Sequence, residues 1–301
     1  MELICKLLVY VTLLFPISIL SLQECNFPAV FNVGDSGSDT GALLSMFGEP
    51  AAPPPNGETF FHSSAGRVCD GRLLIDFIAE GVGVPYLSAF LDSMGTNFTH
   101  GANFATVGST IRRQNTTIFQ SGYSPISLDI QYAQFSNFLK RSQIIRRKGT
   151  HSCLANRSDL YTSCVKCNNT FPVIGAGGVF KNLFPEEFKF SSALYTFDIG
   201  HNDLTAGYQL NMSPGFVDPF LVCCGHGGKY NFNIAMRCGW TKMVNGTKTM
   251  IAKSCEDPSS RIMWDGLHFT EVANRWIYNQ IADGAYSDPP IPLKTACHRM
   301  I

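Results

Sequence analysis

The amino-acid sequence predicts an α/β fold with a largely parallel sheet. Two short runs rich in Phe, Val, Leu and Tyr, residues 27–33 and 193–200, have the length and composition of buried strands, and glycine and polar residues follow or end each of them. Residues 73–80 and 126–147 lie between these runs and have helical spacing. Strands that alternate with helical segments are typical of parallel sheets covered by helices, so this order predicts the α/β class.

The sequence also predicts the structure of three further segments. Residues 39–47 are expected to begin a helix, with Asp39 or Thr40 available to cap it. Residues 51–61 contain three consecutive prolines, which cannot lie inside a helix, and predict a loop. Residues 101–109 form a short β-like run between glycines.

The composition limits the class of function. Hydrophobic residues make up 45% of the 301 residues, enough to build a core, which excludes a disordered chain. The 23 basic residues equal the 23 acidic ones, so the chain has no net attraction for a phosphate backbone, and no nucleic-acid partner is expected. The basic run at residues 141–148 is interpreted as a solvated helix face.

The amino terminus predicts export. Residues 7–20 carry no charge, are too short to span a membrane comfortably and contain Pro16. We interpret residues 1–21 as a cleaved signal peptide and 22–301 as one mature domain without stable membrane insertion. Six Asn-x-Ser/Thr sequons agree with a secretory route. These candidate glycosylation sites are Asn97, Asn115, Asn156, Asn168, Asn211 and Asn245.

The cysteine count agrees with an oxidising compartment. Removal of Cys5 with the signal peptide leaves ten of the eleven cysteines, an even number suited to disulfides, whose pairing the sequence does not determine. Cys164 and Cys167 are separated by two residues, and with His151 they form a weak zinc-site hypothesis. Because no second matching pair follows, a disulfide or an incidental spacing is the favoured interpretation.

Three polar clusters carry the candidate chemistry. Ser36 lies on a glycine-flanked turn after the first predicted strand, and Asn202 follows the strand at residues 193–200. Asp265 precedes His268 by three residues, a spacing that on a helical turn lets the carboxylate orient the imidazole. Separately, each has an ordinary explanation: a helix cap, a turn residue and a chance pair. Together they favour a nucleophile, an oxyanion donor and a base.

These clusters resemble the conserved blocks of the plant GDSL esterase/lipases in the SGNH hydrolase superfamily. The blocks in this sequence are FNVGDSGSDTG, GANFATVGST, FDIGHND and DGLHFTE, in the order of the family. Further stretches, among them CCGHGGKYNFN and PPIPLKTACHR, resemble the branch of α-fucosidase-like and early-nodulin-like esterases. About four fifths of the chain takes part in the resemblance.

The resemblance implies a mechanism and a fold. Ser36 would be the nucleophile, His268 the general base and Asp265 the residue that orients His268, in ester hydrolysis through an acyl-enzyme without metal or organic cofactor. The oxyanion would be held by the Ser36 N–H, the Gly108 N–H and the Asn202 side chain, with Gly101 as the alternative to Gly108. The fold would be a flavodoxin-like three-layer αβα sandwich. A small-molecule, lipid or acylated-glycan ester is the expected substrate, and the apoplast or cell wall the expected location.

The sequence departs from the family pattern in two places. Residues 149–176 form an atypical insertion, and only twenty residues separate Asn202 from Cys223, an interval that is several times longer in relatives. An internal deletion near residues 211–214 would remove the last two core strands and leave the strand at 193–199 as an apolar edge. The leading hypothesis is therefore a secreted serine esterase, and the alternative is a catalytically inactive secreted glycoprotein isoform that lacks part of the hydrolase core.

Overall fold

A three-stranded parallel sheet lies at the centre of the molecule. The computed structural model describes residues 24–298 except 49–51, 93, 95, 114–123, 149–177, 204–220 and 286. In these residues the strand order is β2–β1–β3, with both neighbours parallel to β1, which confirms the predicted class. The strands are β1 (Val30–Gly34), β2 (Gly101–Asn103) and β3 (Leu194–Asp198).

Three of the five α-helices in the described residues agree with the predicted segments to within a few residues, and two, Glu187–Ser191 and Glu271–Ala282, were not predicted. The carboxyl-terminal helix α5 was not predicted, although Thr270 accepts a hydrogen bond from the Ala273 N–H as an N-cap. Within the described residues, no helix combines the length and apolar composition needed to cross a bilayer. The α-helices are α1 (Ala42–Phe47), α2 (Leu74–Gly81), α3 (Leu128–Lys148), α4 (Glu187–Ser191) and α5 (Glu271–Ala282), and the 3-10 turns are Gly178–Leu183, Pro258–Ser260 and Leu293–His298.

Helices cover the sheet on both faces. Val30 of β1 packs into a core cluster with residues of α2, and Tyr278 of α5 packs against that cluster. Its neighbour Phe31 points to the opposite face, where it packs with Phe138 of α3 and stacks on Phe190 of α4 at 5.0 Å. This alternation is the period of two expected for a strand buried on both sides. The expected three-layer αβα arrangement is confirmed.

In the described part of the chain β3 is an edge strand. It pairs with β1 on one side, and its Tyr195 and Phe197 side chains are 42% and 69% exposed. The sequence departures predicted an apolar edge at this strand. The predicted signal peptide, the insertion at residues 149–176 and the joint near residues 211–214 lie outside the described residues.

A small disulfide-bonded region precedes α5. Its two disulfides join Cys223 to Cys255 and Cys224 to Cys238. It contains an antiparallel hairpin of β4 (Thr241–Val244) and β5 (Thr247–Met250). This hairpin was not predicted, although Asn-Gly between two strand-like runs is a strong hairpin signal and both residues of the turn have positive φ.

The other described cysteines correct the expectation of complete pairing. Cys25 and Cys297 form a disulfide between the two ends of the described chain. Cys69, by contrast, is a buried free thiol that accepts weak hydrogen bonds from the Gly71 N–H and the Asn274 amide. An even number of cysteines therefore did not mean that all of them pair.

A buried ion pair fixes the start of α2, and its loss should destabilise the fold. Arg67 donates two hydrogen bonds of 2.7 Å to the Asp76 carboxylate, which is fully buried and also accepts from the Leu73 N–H. Asp76→Asn leaves the Arg67 charge without its partner, so the free energy of unfolding should fall by about 3 kcal/mol. Denaturant-induced unfolding measures this loss.

Glu80→Gln is the matched control for this prediction. Glu80 also pairs with a buried arginine, Arg72, but its side chain is 57% exposed and Arg72 keeps Glu271 as a second partner. Glu80→Gln should lower the free energy of unfolding by less than about 1 kcal/mol. Equal losses in the two variants would contradict the assigned role of the Arg67–Asp76 pair.

Candidate active site

The sheet places Ser36 at the carboxyl end of its central strand. All residues of β1 are buried, and the Asp35 N–H continues the pairing with β3 by donating to the Asp198 carbonyl at 2.9 Å. The turn then closes with the Gly37 N–H donating to the Asp35 carboxylate at 3.0 Å. Ser36 is 4% exposed and lies in this turn, where the parallel α/β architecture concentrates chemistry.

A line of hydrogen bonds joins Ser36, His268 and Asp265. The Ser36 Oγ lies 2.7 Å from the His268 Nε2, and the His268 Nδ1 lies 2.8 Å from the Asp265 Oδ2. A carboxylate only accepts hydrogen bonds, so Nδ1 carries the proton of the neutral ring and Nε2 is left to accept from the serine hydroxyl. The structure thus brings together the three residues that the sequence analysis selected.

The Asp265–His268 segment is a bend, not the helical turn that the spacing suggested. Gly266 has a φ of +93°, which takes the chain out of the helical region. The Asp265 Oδ1 accepts from the Leu267 and His268 N–H groups at 3.0 and 2.9 Å. These backbone bonds hold the carboxylate beside the imidazole, so the predicted contact forms through a different local conformation.

The charges around His268 favour an imidazolium beside the Asp265 carboxylate, the state that forms when His268 accepts a proton. Burial raises the pKa of Asp265, but the charge and hydrogen bonds of His268 outweigh it and bring this pKa below the usual 3.8. Burial lowers the pKa of His268, and Asp265, with a smaller contribution from Asp35, raises it above 6.5. Burial also raises the pKa of Asp35 to about 6. Asp265 therefore stabilises an imidazolium at His268.

The disulfide-bonded region holds the bend in place. Trp264 is fully buried, and its Nε1 donates to the Asn56 side chain at 2.8 Å. Its backbone N–H donates to the His268 carbonyl at 2.8 Å, and its carbonyl accepts from the Cys224 N–H. Cys224 is itself tied to Cys238. The position of His268 therefore depends on this cross-linked region as well as on α5.

Two loops offer donors for a developing negative charge. Among the described residues neither the Ser36 N–H nor the Gly108 N–H has a hydrogen-bond partner, and Gly108 has a positive φ of 78°. The Asn202 Nδ2 donates to the Ser109 carbonyl at 2.7 Å, which ties Asn202 to the Gly108 loop. Gly101, the alternative to Gly108, lies in β2 opposite Val30 and its N–H donates to the Phe98 carbonyl.

A cavity of about 190 Å³ adjoins His268. Gly37, Asp198 and His201 form its polar side, and Phe269 and Ile277 form part of its apolar side. Phe269 and Ile277 also line a larger apolar groove of about 480 Å³. In the part of the chain that the structure describes, no group of three or more His, Cys, Asp or Glu side chains could hold a metal ion.

The remaining predicted sites are only partly described. Of the six sequons, Asn97 and Asn245 have exposed side chains, and the zinc hypothesis falls on residues outside the described ones. Four sequons, Asn115, Asn156, Asn168 and Asn211, lie outside the residues that the structure describes. The same is true of His151, Cys164 and Cys167, the residues of the zinc hypothesis.

Gln131 of α3 was not predicted as a site residue, and it hydrogen-bonds the backbone two residues before Ser36. A signal was available, because Gln131 shares one helix face with Phe135 and Phe138, at spacings of four and seven residues. A polar residue on the buried face of an amphipathic helix is costly unless it is hydrogen-bonded, so its position indicates a partner.

Comparison with known proteins identifies the family of this chain. The family model described as GDSL-like Lipase/Acylhydrolase matches residues 30–219. The chain is 41% identical to a GDSL esterase/lipase of Arabidopsis thaliana, over 92% of this chain and 93% of that protein. It is 37% identical to Alpha-L-fucosidase 3 of Arabidopsis thaliana (95% and 98%) and 34% identical to GDSL esterase/lipase ENOD8 of Medicago truncatula (93% and 92%). The chain therefore belongs to the GDSL-like lipase/acylhydrolase family.

Proposed function

We propose that this protein is a secreted serine esterase in which Ser36, His268 and Asp265 form the catalytic triad. The observation that carries the proposal is the line of hydrogen bonds from the Ser36 Oγ through the imidazole to the Asp265 carboxylate. Membership in the family supports hydrolysis of esters. The geometry supplies a nucleophile with an adjacent base that a third group orients.

The reaction takes place in two transfers. The Ser36 Oγ attacks the ester carbonyl carbon while its proton passes to the His268 Nε2, and the carbonyl π electrons move to the oxygen. When the tetrahedral intermediate collapses, the alcohol leaves with the proton from Nε2, and the acyl group remains on Ser36. Water then attacks the acyl carbon by the same proton path, releasing the carboxylic acid and restoring Ser36. No metal or organic cofactor enters these steps.

We assign the oxyanion site to the Ser36 N–H, the Gly108 N–H and the Asn202 side-chain amide. The two backbone donors are not used by other described residues. Asn202 has two amide hydrogens, and the bond to Ser109 uses one of them, so the other is available to substrate. Preorganised donors of this kind stabilise charge only as it develops in the transition state.

The substrate is proposed to be a carboxylic ester with an apolar portion. The cavity beside His268 shares Phe269 and Ile277 with the apolar groove, in which Ile262 and Val272 are also exposed. Such a lining favours an acyl chain or an apolar alcohol. Small-molecule, lipid and acylated-glycan esters all meet this condition.

The protein is proposed to be exported to the apoplast or cell wall. Three disulfides in the described residues fit an oxidising compartment, and exposed Asn97 and Asn245 are open to glycosylation. We propose that residues 1–21 are the signal peptide and 22–301 a single hydrolase domain with an insertion at 149–176 and a deletion near 211–214. The alignment with the Arabidopsis GDSL esterase/lipase runs over 385 positions, more than the 301 residues of this chain, which supports missing residues.

Labelling with a fluorophosphonate tests the proposed nucleophile. An activated serine attacks phosphorus and displaces fluoride, so the secreted, glycosylated protein should gain one adduct, which peptide mass spectrometry should locate on Ser36. Ser36→Ala should gain none. An inactive isoform would give no labelling in either protein, and a label on another serine would contradict the assignment. The intact line of hydrogen bonds gives the inactive form no support.

A further inference from the structure

Gln131 is a buried side chain that hydrogen-bonds two loops of the proposed active site. It lies in the first turn of α3 and is 0% exposed. Its Oε1 accepts from the Gly34 N–H at 2.9 Å, and its Nε2 donates to the Gly34 carbonyl at 2.7 Å. The same Nε2 donates to the Ser109 hydroxyl at 3.0 Å. One amide therefore contacts both the end of β1, where the turn that carries Ser36 begins (the nucleophile turn), and the loop that contains Gly108 and Ser109 (the Gly108 loop).

On the nucleophile side Gln131 completes the hydrogen bonding of Gly34, the last residue of β1. Strand β2 pairs with β1 as far as Asn103, which lies opposite Asn32, and beyond this strand the Thr106 N–H still donates to the Gly34 carbonyl at 3.2 Å. The Gly34 N–H, two residues further along β1, has no backbone acceptor among the described residues. Gln131 accepts from this N–H and gives the Gly34 carbonyl a second donor, which extends the order of β1 to within two residues of Ser36.

On the oxyanion side the connection continues through Ser109. The Ser109 hydroxyl accepts from Gln131 and donates to the Ile126 carbonyl at 2.6 Å, so both of its bonds are directed. Its backbone carbonyl accepts from the Asn202 amide at 2.7 Å. The bond to Ser109 sets the plane of that amide and with it the direction of the second N–H, the one proposed to face the oxyanion.

We infer that Gln131 is a positioning residue that sets the distance between the nucleophile turn and the oxyanion donors. The inference rests on the proposed function. Gly34, Gln131, Ser109 and Asn202 form one continuous series of hydrogen bonds, and it links elements that are far apart in the sequence. Gln131 touches no reacting atom. Its contribution lies in geometry that matters most when the carbonyl oxygen becomes negative.

The expected result is a selective loss of transition-state stabilisation in Gln131→Met. Methionine fills a similar volume and makes none of the hydrogen bonds of the Gln131 amide, so kcat for a short-chain aryl ester should fall by about 100-fold, the effect of roughly 1 Å of misplacement, with KM changed by less than about threefold. Affinity for a trifluoromethyl ketone that forms a hemiketal oxyanion on Ser36 should fall by the same factor as kcat/KM. Circular dichroism at the assay temperature establishes the folded fraction.

Ser142→Ala is the matched control. Ser142 is also fully buried in α3, but its hydroxyl bonds only the Phe138 carbonyl one turn earlier. This variant should keep kcat and inhibitor affinity within about twofold of wild type. A Gln131→Met protein that is folded and equals Ser142→Ala would overturn the inference, as would a loss of activity equal to the unfolded fraction.

Ser109→Ala alone keeps the inference testable if Gln131→Met folds poorly, and with a folded Gln131→Met it completes a double-mutant cycle. Ser109→Ala breaks the series of bonds but leaves both bonds between Gln131 and Gly34. It should lower kcat by about tenfold or more, and the double variant should lose less than the product of the two single losses. Full additivity, or an unchanged Ser109→Ala, would overturn the inference. Wild-type protein without Ser36-dependent hydrolysis would overturn the proposed function as well, so the two failures differ.

Discussion

Replacing Ser36 by alanine should lower kcat for hydrolysis of a short-chain aryl ester by about a million-fold. The Ser36 Oγ is the atom proposed to form the acyl-enzyme, and it lies 2.7 Å from the His268 Nε2. Without it the bound ester can react only with water, assisted by the remaining oxyanion donors. Initial rates at saturating ester, with secreted protein expressed and glycosylated in the same host, measure the change.

The neighbouring serine is a suitable control. Ser38 is buried in the same turn, and its hydroxyl has no hydrogen-bond partner in the described residues, so Ser38→Ala removes one oxygen atom without removing a bond. Its kcat should stay within about threefold of wild type. His268→Ala should cost about as much as Ser36→Ala, and the double variant little more, because the two residues act as one unit. Comparable rates for Ser36→Ala and wild type would refute the assigned nucleophile.

The proposed triad forms on the three-stranded sheet of the described residues, and its supports lie in β1 and in the region before α5. Ser36 follows β1, which is paired on both sides, and the His268 bend is held by Trp264 and the disulfide-bonded region. Arg72 beside α2 donates to Glu271 of α5 at 2.9 Å, which fixes the helix that follows the bend. None of these contacts involves a strand beyond β3. The triad geometry is therefore compatible with the exposed edge at Phe197.

Local patterns were sufficient for the strands of the sheet and for the helices α1, α2 and α3, but not for the short helix α4. The burial of β1 and the helical spacing of α2 and α3 are properties of contiguous residues, so periodicity found them. Helix α5 and the hairpin at Asn245 were missed although a Thr cap and an Asn-Gly pair signal them. The free thiol of Cys69 depends on which cysteines come close in space, and no spacing rule determines that.

The candidate triad was selected from short motifs, whereas its support was not. Ser36, Asp265 and His268 stand in recognisable blocks, but the contact that joins Ser36 to His268 spans 232 positions and is visible only in the fold. Gln131 bonds Gly34 across 97 positions and belongs to no block that the sequence analysis used. Hydrogen bonds between distant segments depend on how the layers pack, so the sequence indicates the reacting groups more readily than the groups that position them.

Asp265→Asn should lower kcat by about ten-thousand-fold while leaving the fold intact. The carboxylate accepts from the His268 Nδ1 at 2.8 Å and so selects the tautomer whose Nε2 can take the serine proton. An asparagine amide can donate to Nδ1 instead, which places the ring proton on Nε2, facing Ser36. The variant also loses the charge that stabilises the imidazolium. Steady-state kinetics with the same aryl ester measure the loss.

The pH profile separates this role from a general loss of structure. Ester hydrolysis needs neutral His268, so kcat/KM should rise with pH as that group loses its proton, with a midpoint above 6.5 because Asp265 raises the pKa of His268 against the effect of burial. In Asp265→Asn the burial remains and the carboxylate is gone, so the residual activity should have its midpoint at lower pH.

Asp257→Asn is the control for the pH profile. The Asp257 carboxylate is exposed, belongs to the same region and accepts from the Ser259 N–H, so its replacement should change neither kcat nor the midpoint. A midpoint that stays in place or rises in Asp265→Asn would mean that Asp265 does not stabilise the charged imidazole.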